Sequence, residues 1–189
     1  MSVWPSIDED FQLRTPRLRL RCPRHADAPQ VAELAGGRDV AEMTANIPHP
    51  YPEGAAQTFV AQARESTLLG RDLTLMITLD EDDAIIAGLV SARPGPGDCA
   101  SIAYWLGRRY WGRGIATEAV DAVLATIFAR TAASAVVTNV RVTNPASARV
   151  LEKCGFRRVG LGEQRFPARG QVFPVAHFRI DRDQHAAEG

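Results

Sequence analysis

Cysteine is scarce in this 189-residue chain, and Cys22, Cys99 and Cys154 lie far apart. An odd number without a CxxC pair suits neither a disulfide framework nor a zinc site; they read as small buried residues of a reducing compartment. The four histidines show no metal-ligand spacing, so no metal is expected. Lysine is almost missing: Lys153 is the only one, and arginine carries the remaining positive charge. Neither sign of charge is in excess, with 22 basic and 22 acidic side chains. A nucleic-acid partner, which selects for a basic surplus, is therefore not expected. No uninterrupted apolar run approaches about 18 residues, so no membrane span is expected. The opening MSVWPSIDEDFQL lacks the basic segment and apolar core of a signal peptide. These absences leave a cytoplasmic chain of one domain, residues 1–189, long enough to bury a core without disulfides or metal.

What is present is an interleaving of strands and helices. Basic and apolar residues alternate from Arg17 to Cys22, the period of a half-buried strand within Leu13–Pro23. Val31, Leu34 and Ala35 share a helical face that Gly36-Gly37 closes. Prolines at 48, 50 and 52 forbid regular structure in TANIPHPYPEG, after which Ala56, Phe59, Val60 and Ala63 resume helical spacing. Leu73–Leu79 and Ala84–Ala92 read as strands joined by the acidic turn Asp80–Asp83, and Cys99–Gly107 as a third. A helix is expected from Ile115 to Arg130, a β-branched strand over Ala133–Val142, and a helix with Asn144 as cap, Pro145 in its first position and Gly155 as its stop. FRRVGLG and QVFPVAHFRI end the domain as strands, and the polar tail after Asp181, like the first ten residues, is expected to fray. The order β-α-α-β-β-β-α-β-α-β-β predicts a single α/β domain. Its sheet is mixed and strongly twisted, flanked by helices, with the parallel crossover at the Ile115–Arg130 helix.

The chemistry-bearing stretch is IAYWLGRRYWGRGIATEA. An apolar strand runs into an arginine-rich turn holding Gly112 and Gly114, and a helix opens at once. The first amides of a helix lack intrahelical partners and sit at the positive end of its dipole, and glycines let an anion approach. Arg109 and Arg113 add fork-shaped donors. With no lysine the stretch is not a GxxxxGK[ST] phosphate loop, and GRGIAT lacks the third glycine of a dinucleotide fingerprint. From the pattern alone, a glycine turn capping a helix with no ligand remains the alternative.

Arg109-Tyr110-Trp111-Gly112-Arg113-Gly114-Ile115-Ala116 resembles the [Q/R]xxGx[G/A] signature of GNAT acetyltransferases. TPRLRLR, NIPHPYPEGAAQTFV (Asn46–Val60) and VTNPASARVLEKCGF follow in the order seen in that superfamily's ribosomal-protein N-terminal acetyltransferases, so the resemblance runs from about residue 13 to 181. It implies a GNAT-like fold whose central parallel strands, Ser101–Leu106 and Ala135–Val142, splay apart around acetyl-CoA. The backbone of Tyr104, Trp105 and Leu106 would hold the pantetheine, with the amide near Trp105 polarising the thioester carbonyl. Gly112, Arg113, Gly114, Ile115, Ala116 and Thr117 would hold the pyrophosphate, with Arg109 and Trp111 beside them. Asn144 would contact the pantetheine arm and Ser147 the sulfur, although a plain helix cap and a small first-turn residue explain both equally well.

The resemblance also implies direct attack of an amine on the thioester. A general base is missing: where relatives carry a glutamate in a pattern like EIGYW, this chain reads Ser101-Ile102-Ala103-Tyr104-Trp105. Glu163 and His49 are candidate substitutes, although His49 reads more simply as packing on Pro48 and Tyr51. His177, in an apolar strand, reads as a satisfied sheet histidine, and Glu118 as a carboxylate favoured by a helix N-terminus. His49, Tyr51 and Glu163 are expected to line the acceptor side. The acceptor is a peptide N-terminus, an amino acid or a small amine, and the chain a monomer or homodimer. The alternative function is a catalytically silent acyl-CoA sensor or docking module.

Overall fold

Six of the seven residues of β3 (Leu73–Leu79) are buried, Thr74 and Thr78 among them, so it is covered on both faces and can only be an inner strand. It lies third in an eight-stranded sheet of order β1-β2-β3-β4-β5-β6-β8-β7. The other strands are β1 (Gln12–Arg14), β2 (Leu18–Arg21), β4 (Asp82–Pro94), β5 (Ala100–Leu106), β6 (Ala135–Arg141), β7 (Arg157–Phe166) and β8 (Gln171–Asp181). The computed structural model describes Trp4, residues 7–79 and residues 82–188. Half of the expected Asp80–Asp83 turn, positions 80 and 81, falls outside them.

Among the described residues every strand pairing is antiparallel except β5 with β6. The connection between those two is helix α4 (Ile115–Arg130), the expected crossover. Leu34 of α1 (Ala28–Ala35) packs on Gly107, and α1 also packs against α3 (Ala55–Leu68). Helices α4 and α5 (Pro145–Lys153) pack together, and α5 receives the Tyr104 side chain. Trp105 faces the α1 side, so strand alternation puts α4 and α5 on the opposite face from α1 and α3.

Four features depart from the sequence reading. The first strand is two, broken at Pro16, because Thr15 and Arg17 turn to bond Glu118 of α4. Gly37 does not end the helical region; it precedes a further helix, α2 (Arg38–Met43), six residues long and too short to show a period. Trp4 and Ile7 are buried in the core, so the expected fraying does not extend to them. The tail forms α6 (Arg182–Glu188). It is fastened by Arg182, whose guanidinium donates to the carbonyls of Phe128, Thr131 and Ala133, and by His185, whose ring packs at a tilt against that of Phe128.

Candidate active site between two diverging strands

Strands β5 and β6 pair only at their first residues, Ala100 with Val136 and Ser101 with Val137. Beyond that point they diverge and leave a cleft of about 1220 Å³ that passes between the two faces of the sheet. The β5 edge that looks into it has lost its ladder partner, so its backbone groups are open to hydrogen bonding. Alternation decides which ones. A side chain at Gly88 of β4 would meet the Trp105 carbonyl oxygen at 2.1 Å, so Trp105 turns its backbone toward β4. The Leu106 carbonyl faces the other way and accepts from Trp111 Nε1 at 2.8 Å. The backbone of Tyr104 and Leu106 therefore faces the open edge, while Trp105 contributes its ring. The extra residue Ala87 in β4 sets this end of the cleft, because it shifts the register with β3 and its carbonyl receives the Gly107 amide at 2.9 Å.

On the α4–α5 face, the Gly112–Gly114 turn leads into α4. Both glycines adopt left-handed backbone, with φ of 74° and 77°, which other residues avoid. No side chain caps α4, so its first amides stay open toward the cleft, which Gly112, Gly114, Ile115, Ala116 and Thr117 all line. Trp111 lines it too, half-exposed. The two arginines of the motif do not: Arg109 turns to Glu33 of α1 at 2.9 Å, and Arg113 is exposed and offers its carbonyl to Arg17. The glycine turn thus offers the cleft its backbone and neither of the motif's two guanidinium groups.

Asn144 caps α5, its Oδ1 accepting from the Ser147 amide at 3.2 Å, and both residues line the cleft. Ser147 Oγ lies 2.8 Å from the Tyr104 hydroxyl, which also reaches the Ser147 carbonyl at 3.2 Å. Burial pushes the Tyr104 phenol well above its ordinary range despite that bond, so it stays protonated. Sequence reasoning assigned Tyr104 a backbone role only; the side-chain partnership becomes visible once β5 and α5 are side by side.

The opposite face carries Ser101, Ala103 and Trp105 of β5 and, in register on β6 and β8, the pair Asn139 and His177. His177 lines the cleft. Its Nδ1 is 2.6 Å from Asn139 Oδ1; with Nδ1 as the donor of that pair, Nε2 is the ring nitrogen left to face a further partner. The ring lies over β7, where a Cβ on Gly162 would sit 2.4 Å from Nε2. The VGLG sequence was legible as strand, but its glycines were not legible as the space for an imidazole on the neighbouring strand.

The expected acceptor residues are placed differently. His49 is exposed, with Nδ1 3.0 Å from the Gly36 carbonyl, and does not line the cleft. Glu163 is exposed on the other face of β7; strand alternation gives its neighbour Gln164 to the cleft. Tyr51 lines a small side cavity of about 230 Å³ that shares Trp105, Phe59 and Ile47 with the main cleft. The wall there is closed by the turn between β7 and β8: Ala168 donates to the Ala45 carbonyl at 3.1 Å and Arg169 to that of Ile47 at 2.8 Å. Glu118 is bound by Thr15, by the Arg17 amide at 2.9 Å and by Arg17 Nε at 2.7 Å, which makes it a clamp between α4 and the first strands.

A strand pair opening onto an uncapped helix N-terminus matches a known architecture. The acetyltransferase (GNAT) domain model matches residues 17–157. The chain belongs to the GNAT acetyltransferase family. It is accordingly an acyl-CoA-dependent acetyltransferase. It is 26% identical over 185 residues to the uncharacterized N-acetyltransferase p20 of Bacillus licheniformis, covering 92% of this chain and 98% of that one. Its fold is similar to that of a ribosomal-protein-S5-alanine acetyltransferase from Vibrio fischeri, with a TM-score of 0.76 at 21% identity over 92% of this chain and 98% of the other. It is also similar to the microcin C7 self-immunity acetyltransferase MccE in complex with acetyl-CoA and AMP, with a TM-score of 0.76 at 20% identity over 88% and 93% of the two chains. Among the described residues no helix is long and apolar enough to cross a membrane.

Proposed function

We propose that this GNAT protein transfers the acetyl group of acetyl-CoA to a primary amine by direct attack, with His177 receiving the amine proton. The observation that carries the proposal is one cleft with different polar pairs on its two faces: Tyr104–Ser147 on one and Asn139–His177 on the other. Acetyl-CoA supplies the thioester. The open amides from Gly112 to Thr117 suit its pyrophosphate, and the free edge at Tyr104 and Leu106 suits its pantetheine amides. Asn144 and Ser147 stand where that arm would end.

The amine nitrogen enters from the Trp105 and His177 face. As the carbon–nitrogen bond forms, negative charge gathers on the carbonyl oxygen and is met by a β5 edge amide, of Tyr104 or Leu106, in place of the Trp105 amide. The amine proton passes to His177 Nε2 and from there to solvent. When the carbon–sulfur bond breaks, the sulfur leaves as thiolate and accepts a hydrogen bond from Ser147 Oγ, which the Tyr104 phenol orients. Asn139 keeps His177 in the required tautomer, so Ser101 need not replace the glutamate of relatives.

The test is thiol release from acetyl-CoA against peptides, amino acids and amines, with binding followed by thermal shift. Release with an acceptor supports transfer. Stabilisation by acetyl-CoA without release on any acceptor would instead favour the silent CoA-binding module.

A further inference from the structure

Although the chain as a whole is electrically balanced, its cleft is not. Arg93, Arg141, Arg149, Lys153 and Arg179 line it, and among the described residues no aspartate or glutamate does. These cations divide between the faces. Arg149 and Lys153 belong to α5, beside the helix N-terminus suited to the phosphates of CoA. The other three are on the acceptor face. Arg93 pairs with Ser101, Ser101 with Val137 and Val137 with Arg179, so these side chains form one row on the face that also carries Trp105 and His177. Arg141 is two residues beyond Asn139 on the same face.

They are not equally available. Arg179 is offset by Asp181 at 2.6 Å. Arg93 has no ion pair among the described residues and is exposed. Arg141 is the pre-organised one. Its guanidinium is 4.0 Å from the Phe173 ring centroid and 5.8 Å from that of Phe166, and it donates to the Glu42 carbonyl. The nearby Glu42 carboxylate is hydrogen-bonded to Arg38 and feels the charge of Arg141 without an ion pair to it among the described residues, so the Arg141 guanidinium retains donors for a ligand.

We infer that the acceptor is an amine that also carries a carboxylate or a phosphate, and that Arg141, assisted by the field of Arg93, binds this anion while the amine lies at His177. The inference rests on the acetyl-transfer reading and narrows it. A polyamine is disfavoured on this face, since its second ammonium would meet arginines and no carboxylate.

The experiment compares matched acceptors: glycine with glycinamide, phosphoethanolamine with ethanolamine, and spermidine as the cationic member. Rates of thiol release are corrected for the fraction of neutral amine. The expected result is a kcat/KM at least about tenfold higher for the charged member of one pair, which also tells carboxylate from phosphate. In Arg141→Gln that preference should fall to near unity through KM, with the KM for acetyl-CoA unchanged, and Arg141→Lys should restore part of it. Arg93→Gln, at an exposed position, should reduce the preference by about threefold and weaken its salt dependence. A merely structural Arg141 would slow both members alike. Neutral members or spermidine used as well as the anionic ones would overturn the inference and leave acetyl transfer standing. Absence of release with every amine would defeat the transfer reading and the inference with it.

Discussion

Gly162→Ala places one methyl group where His177 now lies, and its consequence follows from three distances. The new Cβ would sit 2.4 Å from Nε2, 3.2 Å from Cε1 and 3.4 Å from Cδ2. Ordinary contact begins at about 3.5 Å, so the ring must retreat by about 1 Å at its Nε2 edge. The Nδ1 bond to Asn139, 2.6 Å long, cannot survive such a swing with good geometry. The backbone has no reason to object: Gly162 does not adopt positive φ, and β7 is the edge strand. Alanine in a strand regains about 0.5–1 kcal/mol over glycine, which offsets the cost of moving one part-exposed ring. The expected outcome is an unchanged melting temperature within a few degrees, an unchanged KM for acetyl-CoA, and a kcat lowered about 100-fold, the scale of a 1 Å misplacement of a catalytic group. Thiol release under saturating acceptor measures it. His177→Gln should give a similar loss, and the double variant should be no worse than His177→Gln, since both act through one imidazole. A Gly162→Ala enzyme within twofold of the parent, or losses that multiply in the double variant, would refute the role given to His177.

Other substitutions probe the remaining parts. Gly114→Glu combines a left-handed backbone position with a carboxylate at the proposed pyrophosphate site, and thermal stabilisation by acetyl-CoA should be abolished. Ser147→Ala and Tyr104→Phe should each lower kcat about tenfold with small changes in acetyl-CoA affinity, measured by steady-state kinetics alongside calorimetry. Burial raises the Glu118 carboxyl, but the Thr15 hydroxyl, the Arg17 amide and the Arg17 guanidinium outweigh it and hold the group below its ordinary value. Its contribution is therefore complete above the unfolded carboxylate value of about 4.3 and is lost as the pH falls through the lower folded value. Glu118→Gln should cost about 1–2 kcal/mol at pH 7 by urea denaturation, and the difference should vanish in strong acid.

Much of the fold was legible because the relevant signals are local. The apolar run at Leu73–Leu79, the β-branched run at Ala135–Arg141 and the Asn144–Pro145 start of α5 each contain their own explanation. Helix α2 and the tail helix are not legible, because both are short and owe their place to contacts made by the fold: the burial of Val40 and Ala41 for one, and the Arg182 bonds to the end of α4 for the other. The glycine turn is legible as the opening of α4, but the pairing of Arg109 with Glu33 is not, since only the packing of α1 brings Glu33 within reach.

The chain by itself thus determined the order of its elements, the place of the parallel crossover and the glycine turn that opens α4, all properties of neighbouring residues. Tertiary structure decided which side chains share the cleft. A strand side chain's face depends on register, and a one-residue change of register exchanges Glu163 for Gln164 or Trp105 for Tyr104. Tyr104 met Ser147, and His177 met Asn139 and the space over Gly162, across 43, 38 and 15 residues of sequence respectively. Only the pairing of β5 with α5, and of β8 with β6 and β7, fixes those meetings.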